Sequence, residues 1–239
     1  MRVNKDLTTR TYGLLPAKEG YDLAAPWYDK WHWTEFWKRN ELPLVGTLLD
    51  DLTPARVLDA GSGTGAYRFE LEARGHQIVA IDISSKMLGI QAQKARFFSH
   101  DNTTKLFNGD IQDMPAEWSE SFNYIVCARV LSHIANPLVP IREFSRVLKR
   151  GGRLIITDVD PSHPYKHVKI SNGSVHSMIR AFKHGRHELE ACFSAAYLRI
   201  EMFKRVALRD LSWLPSQDTF AKIYYASEQP IFFICVLTK

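Results

Sequence analysis

Short apolar segments alternate with longer amphipathic segments between residues 56 and 158. The short segments are typical of strands buried in a parallel sheet, and the longer ones have the apolar spacing of helices. Because strands that alternate with helices are joined by right-handed crossovers, the pattern predicts an α/β fold with a mainly parallel sheet. The predicted strands are Arg56–Asp59, Gln77–Ile81, Lys105–Asn108, Tyr124–Cys127 and Arg153–Asp158. The predicted helices are Ala66–Arg74, Ser84–Phe97 and Ile141–Lys149.

The alternation is interrupted after residue 158. Residues 159–187 are polar and rich in histidine and basic side chains, which predicts an insertion over the sheet edge. Glu188–Tyr197 then has helical spacing, and Leu198–Val206 and Ile231–Leu237 have the composition of two more strands. The chain is therefore expected to form a doubly wound, seven-stranded sheet within a domain covering residues 43–239.

Residues 1–42 are predicted to form a separate N-terminal segment. Residues 1–20 are polar and irregular, whereas Tyr21–Lys38 is crowded with aromatic side chains at helical spacing. Pro43–Leu52 is predicted as the next helix, with its proline in the first turn. The aromatic helix has two interpretations. It either braces the sheet, or it is a helical lid whose rings line a flat or hydrophobic substrate.

Composition limits the compartments and the classes of partner that we expect for this protein. The 239 residues contain three scattered cysteines, which argues against a disulfide framework and predicts a reducing, cytoplasmic environment. Residues 1–10 lack the apolar core of a signal peptide, and no apolar run reaches the roughly 20 residues that span a bilayer. The net charge of +5 is interpreted as a mildly basic surface. A membrane partner is not expected, and nucleic acid is disfavoured.

The densest chemical signal is the run VLDAGSGTG, in which a β-prone segment leads into three alternating glycines. Gly61, Gly63 and Gly65 permit positive φ angles and let the backbone approach a ligand closely. Their spacing is not the Gly-x-Gly-x-x-Gly of dinucleotide folds, which disfavours a dehydrogenase. With Asp59 ahead of the first glycine, the run resembles motif I of class I S-adenosylmethionine-dependent methyltransferases. The resemblance implies that Asp59 and the three glycines bind the cofactor.

Two later elements extend this pattern. Asp82 ends the second predicted strand, where an acidic side chain can accept both ribose hydroxyls of a nucleoside; the other interpretation is a cap for the helix that begins at Ser84. Gly109–Pro115 resembles the family's adenine-binding element, which implies that Asp110 accepts from the adenine amino group and Ile111 packs on the ring. The N-terminal segment resembles one that closes over S-adenosylmethionine in small-molecule methyltransferases. The resemblance implies further cofactor contacts from Ser62, Ile83, Arg129, Tyr21 and Tyr28.

His133 is the candidate general base. It follows the fourth predicted strand, at the carboxyl end where doubly wound sheets bind their ligands. Asp158 ends the neighbouring strand and is expected to hold the second ring nitrogen, fix the tautomer and raise the histidine pKa. The other interpretation is a histidine that only packs against the following helix.

Five histidines of the 159–187 region raise the question of a metal. The pairs His163/His167 and His184/His187 have spacings found among metal ligands. No cysteine lies close to them, and the family that the chain resembles usually needs no metal. A metal site is therefore not predicted.

The sequence favours S-adenosylmethionine-dependent methyl transfer to a hydroxyl or amine of a small, aromatic or hydrophobic metabolite. Two alternatives stay open. An RNA methyltransferase would account for the basic charge, and a non-enzymatic nucleoside-binding domain would have the same pocket without an acceptor site. The sequence also leaves a homodimer open.

Overall fold

A computed structural model describes residues 13–49, 54–97, 104–172, 175–211 and 228–239. Its strands are β1 (Gly13–Leu15), β2 (Arg56–Ala60), β3 (Gln77–Asp82), β4 (Lys105–Asn108), β5 (Phe122–Ala128), β6 (Leu148–Val159), β7 (His167–Asn172), β8 (Val175–Arg180), β9 (Arg199–Ala207) and β10 (Pro230–Thr238). Seven of them form one sheet in the order β4-β3-β2-β5-β6-β10-β9. Only β10 runs antiparallel to its neighbours, so the predicted mainly parallel sheet is confirmed.

Helices cover both faces of this sheet. They are α1 (Ala17–Tyr28), α2 (His32–Thr47), α3 (Ala66–Ala73), α4 (Ser85–Phe97), α5 (Leu138–Val147) and α6 (Arg186–Ala195). Successive residues of β2 face opposite sides, so that Leu58 packs with α5 and α6 while Val57 packs with α2 and α3. No helix within the described residues is both long and apolar enough to cross a bilayer.

The N-terminal helices differ from the prediction. The helix predicted over Tyr21–Lys38 is two helices, because the chain turns after Tyr28, where the Thr34 hydroxyl donates to the Tyr28 carbonyl at 2.7 Å. The helix predicted over Pro43–Leu52 is wrong in its start, since α2 runs through Pro43. Burial of Phe36 and Val45 in the same hydrophobic cluster, before and after the proline, offsets the hydrogen bond that the proline removes.

Some N-terminal predictions meet the limits of the described chain. Residues 1–12 and 50–52 lie outside the described residues, so the irregular structure predicted for residues 1–12 and the end of the second predicted helix stay predictions. The irregular structure predicted for residues 13–20 is wrong, because β1 pairs with β8 there and α1 begins at Ala17. The predicted domain boundary after residue 42 falls inside α2.

The predicted insertion contains a β-hairpin. Strands β7 and β8 pair antiparallel, and β1 joins β8 in parallel to complete a second, three-stranded sheet. This small sheet packs on α1: a Cβ at Gly20 would lie 2.5 Å from the Ile179 side chain. We call β1, α1 with Asp29 directly after it, and the β7–β8 hairpin the lid. Its parts come from the N-terminal segment and from the predicted insertion.

Candidate active site

The glycine turn after β2 is shaped by two different demands. Gly61 has a φ of 76°, and a Cβ there would lie 2.3 Å from Val130, so only glycine fits against the neighbouring loop. Gly63 has a φ of 53°, but a Cβ there would meet no protein atom within 4 Å. Gly63 lines the main pocket together with Ser62. The turn therefore leaves its middle glycine open to a ligand, as the sequence predicts.

Asp82 serves the turn and faces the pocket. Its carboxylate accepts the backbone N–H of Gly63 at 2.8 Å through one oxygen and that of Ser84 at 2.8 Å through the other. Burial raises its pKa to about 6. Asp82 lines the pocket, and a carboxylate oxygen can accept more than one hydrogen bond. The capping interpretation and the predicted ribose role are therefore compatible.

Asp59 lies behind the glycine turn, and the described pocket lining does not include it. Its carboxylate accepts the Arg68 backbone N–H at 3.1 Å in the first turns of α3. Burial, reinforced by the negative charge of Asp82, raises the Asp59 pKa to about 7. Asp59 thus supports the turn, whereas its predicted contact with the cofactor stays a prediction.

The predicted adenine end of the pocket combines apolar side chains with one acceptor. Ile83, directly after β3, and Ile111, shortly after β4, line the pocket together with Asp110. The Asp110 carboxylate accepts the Gln112 backbone N–H at 2.9 Å, which fixes its direction. These side chains come together as the sequence predicts, and they can provide apolar faces and an acceptor for a purine.

Arg129 lines both cavities and has a partner that the sequence analysis did not identify. Its φ of 59° is in the left-handed region, and its guanidinium lies 5.0 Å from the Trp37 ring centroid. The guanidinium forms an ion pair with Glu41, a fully buried residue of α2. The Tyr67 hydroxyl also donates to Glu41, at 2.9 Å. One feature of the sequence could have indicated this partner. Glu41 lies four residues from both Trp37 and Val45, so it shares the apolar face of α2 with them.

His133 is held through both ring nitrogens. Nδ1 lies 2.9 Å from the Arg180 carbonyl, which can only accept, so Nδ1 carries the proton when the ring is neutral. Nε2 is then the basic nitrogen, and it accepts from the Tyr21 hydroxyl at 2.8 Å. Burial raises the pKa of Tyr21 well above its usual value, so the phenol stays protonated as the donor.

The expected pairing of Asp158 with the His133 ring is not formed. One Asp158 oxygen accepts the Ser132 N–H at 2.8 Å and the other accepts the Val159 N–H at 2.8 Å. Asp158 therefore supports the turn that carries His133, and the hairpin carbonyl of Arg180 orients the ring. The predicted rise in the His133 pKa is also wrong, because burial lowers it more than the charge of Asp158 raises it.

A second cavity adjoins the main pocket. The two share Tyr21, Tyr28, Trp37, Arg129 and His133 among their lining residues, so both predicted lid tyrosines lie at the boundary. Further aromatic and basic side chains from α2, its preceding turn and the hairpin region surround the second cavity. They include Trp31, Trp33, His163, Tyr165, Lys166 and Lys169.

Two aspartates hold α1 and its following turn across the main pocket. Asp22 accepts the Ser84 hydroxyl at 2.6 Å and so joins α1 to the start of α4. Asp29 accepts the Thr64 hydroxyl of the glycine turn at 2.7 Å and pairs with Lys94 at 2.6 Å. The structure therefore shows the lid in a closed position.

The comparison with protein families decides the identity of this arrangement. The family model described as "Methyltransferase domain" matches residues 53–208, well over half of the chain. The chain belongs to this methyltransferase family. It is a class I S-adenosylmethionine-dependent methyltransferase, as its motifs predict, and its glycine turn, Asp82 and Asp110 all lie within the matched residues.

Curated relatives of the chain include methyltransferases, and solved structures share its fold. The methyltransferase is 30% identical over 112 residues to a ubiquinone biosynthesis O-methyltransferase of Xanthomonas oryzae pv. oryzae, covering 46% of this chain and 45% of that protein. The chain thus spans about half the length of the curated relatives it matches. Its fold is similar to that of a [4+2]-cyclase, with a TM-score of 0.71, 20% identity, and coverage of 95% and 98% of the two chains.

A methyltransferase structure with bound cofactor also has this fold. It is magnesium protoporphyrin IX methyltransferase from Synechocystis PCC 6803, with a TM-score of 0.60, 18% identity, and coverage of 83% of this chain and 78% of that one. S-adenosylmethionine is the cofactor of the family. The main pocket suits it, because Gly63 leaves room for close approach while Asp82 and Asp110 offer acceptors.

The histidines of the insertion have separate roles. His184 is buried, with Nε2 2.8 Å from the Ile134 carbonyl and Nδ1 3.2 Å from Glu188. His187 is exposed on α6. Among the residues that the structure describes, no three His, Cys, Asp or Glu side chains form a group that could hold a metal ion.

Proposed function

We propose that this methyltransferase transfers the methyl group of S-adenosylmethionine to a hydroxyl or amine of a small, aromatic or hydrophobic metabolite. The observation that carries the proposal is the second cavity, which is lined by aromatic rings and meets the cofactor pocket at His133. Ring stacking and apolar burial would hold a flat acceptor there. The relative from Xanthomonas, named as an O-methyltransferase of ubiquinone biosynthesis, supports a hydroxyl as the acceptor.

The residues of this chain would supply position, a dry site and a base. When bound, S-adenosylmethionine supplies a methyl group that its sulfonium has already activated. With acceptor bound, the lid would limit the access of water to the boundary of the two cavities. Neutral His133 presents Nε2 toward the Tyr21 hydroxyl, and an acceptor hydroxyl in that position could give its proton to the same nitrogen. The methyl group would bond to the acceptor oxygen as S-adenosylhomocysteine leaves.

The compartment and assembly of the protein are further inferences. We infer a cytoplasmic location, which is supported by the three free thiols of Cys127, Cys192 and Cys235. A homodimer stays a prediction, and its measurement is the mass of the purified protein in solution.

The test is methyl transfer from isotopically labelled S-adenosylmethionine. The purified protein would be given catechols, hydroxyquinones and aromatic amines, and in parallel a pool of structured RNA, with products identified by mass spectrometry. We expect label in an aromatic small molecule. Label in RNA alone would favour the RNA methyltransferase, and cofactor binding without label in either pool would favour the nucleoside-binding domain.

A further inference from the structure

The second cavity has a strongly one-sided charge. Lys30, Lys166 and Lys169 line it, and the described lining contains no aspartate or glutamate. The three lysines are exposed and form no ion pair with an acidic side chain in the part of the chain that the structure describes. Nearby acids are already engaged, since Asp29 pairs with Lys94 and Asp160 with Arg205. The cavity therefore has unpaired positive charge.

The lysines are separate from the boundary with the cofactor pocket, where we expect the acceptor to react. His133 lines both cavities, whereas the three lysines line only the second one. Lys169 pairs in register with Met178 of β8, so the two side chains share one face of the hairpin, and both line the cavity. A molecule that fills the second cavity from His133 is therefore surrounded by a lining that combines aromatic rings with ammonium groups.

We propose that the methyl acceptor is an aromatic acid: a flat ring with the reacting hydroxyl near His133 and a carboxylate that extends toward Lys166 and Lys169. This inference rests on the proposed function and narrows its substrate class. A carboxylate in this position gains from the unpaired ammonium groups, whereas a neutral ester of the same shape does not. Because the lysines are exposed, each contributes modestly, and salt screens their effect.

The experiment compares caffeic acid with its methyl ester, which share the catechol ring. Isothermal titration calorimetry would measure both affinities at low salt, with the protein saturated with S-adenosylhomocysteine. We expect the acid to bind more tightly than the ester. The double variant Lys166→Met/Lys169→Met should lower the affinity for the acid by about 3- to 10-fold and leave the affinity for the ester unchanged. The matched control is Lys105→Met/Lys204→Met, which removes the same charge from exposed positions outside both described cavity linings.

Any of three results would overturn the proposal that the acceptor is an aromatic acid. They are equal affinities for acid and ester, an equal loss of affinity for the acid in the control variant, or no binding of either compound. Added salt should weaken binding of the acid and not binding of the ester, and this result would support the same inference without any variant. Failure of the proposed function would look different. In that case S-adenosylhomocysteine would bind, but neither the acid nor any neutral ring would become methylated.

Discussion

The cofactor pocket has two walls that are built differently. One wall is formed at the carboxyl ends of the central parallel strands, and we call it the sheet wall. There the glycine turn and Asp82 are held by backbone hydrogen bonds and by strands with buried side chains. The other is the lid, which rests on a small apolar cluster around Ala24, Ile170 and Ile179 and on the polar contacts of Asp22. Because the apolar cluster under the lid is smaller than the clusters under the sheet wall, we expect the lid to open more readily than the sheet wall unfolds.

The largest expected effect comes from a side chain that fills the pocket space beside the glycine turn of the sheet wall. Gly63→Val places a branched side chain in the open space of the pocket and at a positive φ. We expect it to abolish the rise in melting temperature that S-adenosylhomocysteine gives the wild type. The control is Gly89→Val, at an exposed position of α4 where a Cβ meets nothing within 4 Å. A full ligand shift in Gly63→Val would contradict a cofactor in this pocket.

His133 lies where the two walls meet. We expect His133→Ala to slow the single-turnover methyl-transfer rate about 10²- to 10⁴-fold, with little change in cofactor affinity. Because burial lowers the histidine pKa, the neutral base persists below the ordinary value of about 6.5, and activity falls only at lower pH. An unchanged single-turnover rate would leave positioning as the mechanism and direct the search for a base to Tyr28, His163 and His167.

Asp158→Asn should have a smaller effect of a distinct kind. The carboxylate raises the His133 pKa from a short distance, so its neutralisation moves the acid limb of the rate profile to still lower pH. The new amide also faces an N–H donor at Ser132 or Val159, which loosens the turn. We expect about a tenfold lower rate on the plateau. An acid limb that does not move would mean that Asp158 acts only through the turn.

The smallest expected effect tests the lid wall. Asp29→Ala removes the contacts to Thr64 and Lys94 that hold the lid closed. We expect faster proteolysis before Pro43, and slower proteolysis again when cofactor and acceptor are added. Glu35→Ala is the control, because Glu35 pairs with Arg39 of the same helix. Equal proteolysis of the two variants would contradict a lid held by Asp29.

The sheet wall could largely be predicted from the sequence because its parts are local. The strand, glycine turn and acid follow one another along the chain, and periodicity with glycine spacing identifies each of them. Even so, the position of Asp59 behind the turn was not predictable. The motif specifies an acid there, but which groups it faces depends on the packing of α3.

A lid could be predicted from the aromatic segment, but its contacts could not, for physical reasons. The Tyr21 hydroxyl and His133 are 112 residues apart, and the Arg180 carbonyl comes from a hairpin whose path no periodicity specifies. The break after Tyr28 depends on the Thr34 hydroxyl, and the continuation through Pro43 depends on buried neighbours that offset a weak local preference. The aromatic segment is divided between both interpretations: Phe36 braces the core, and Tyr21 lines the pocket.

The contacts of Asp22 and Asp29 have a consequence for the timing of the catalytic cycle. If cofactor and product both pass α1, we expect each aspartate contact to slow entry and exit together and to change the equilibrium affinity less than either rate. Lid opening in other enzymes occurs in microseconds to milliseconds and often limits turnover. Steady-state turnover of a good acceptor would then report the residence time of S-adenosylhomocysteine, and acceptors of different reactivity would share one maximal rate.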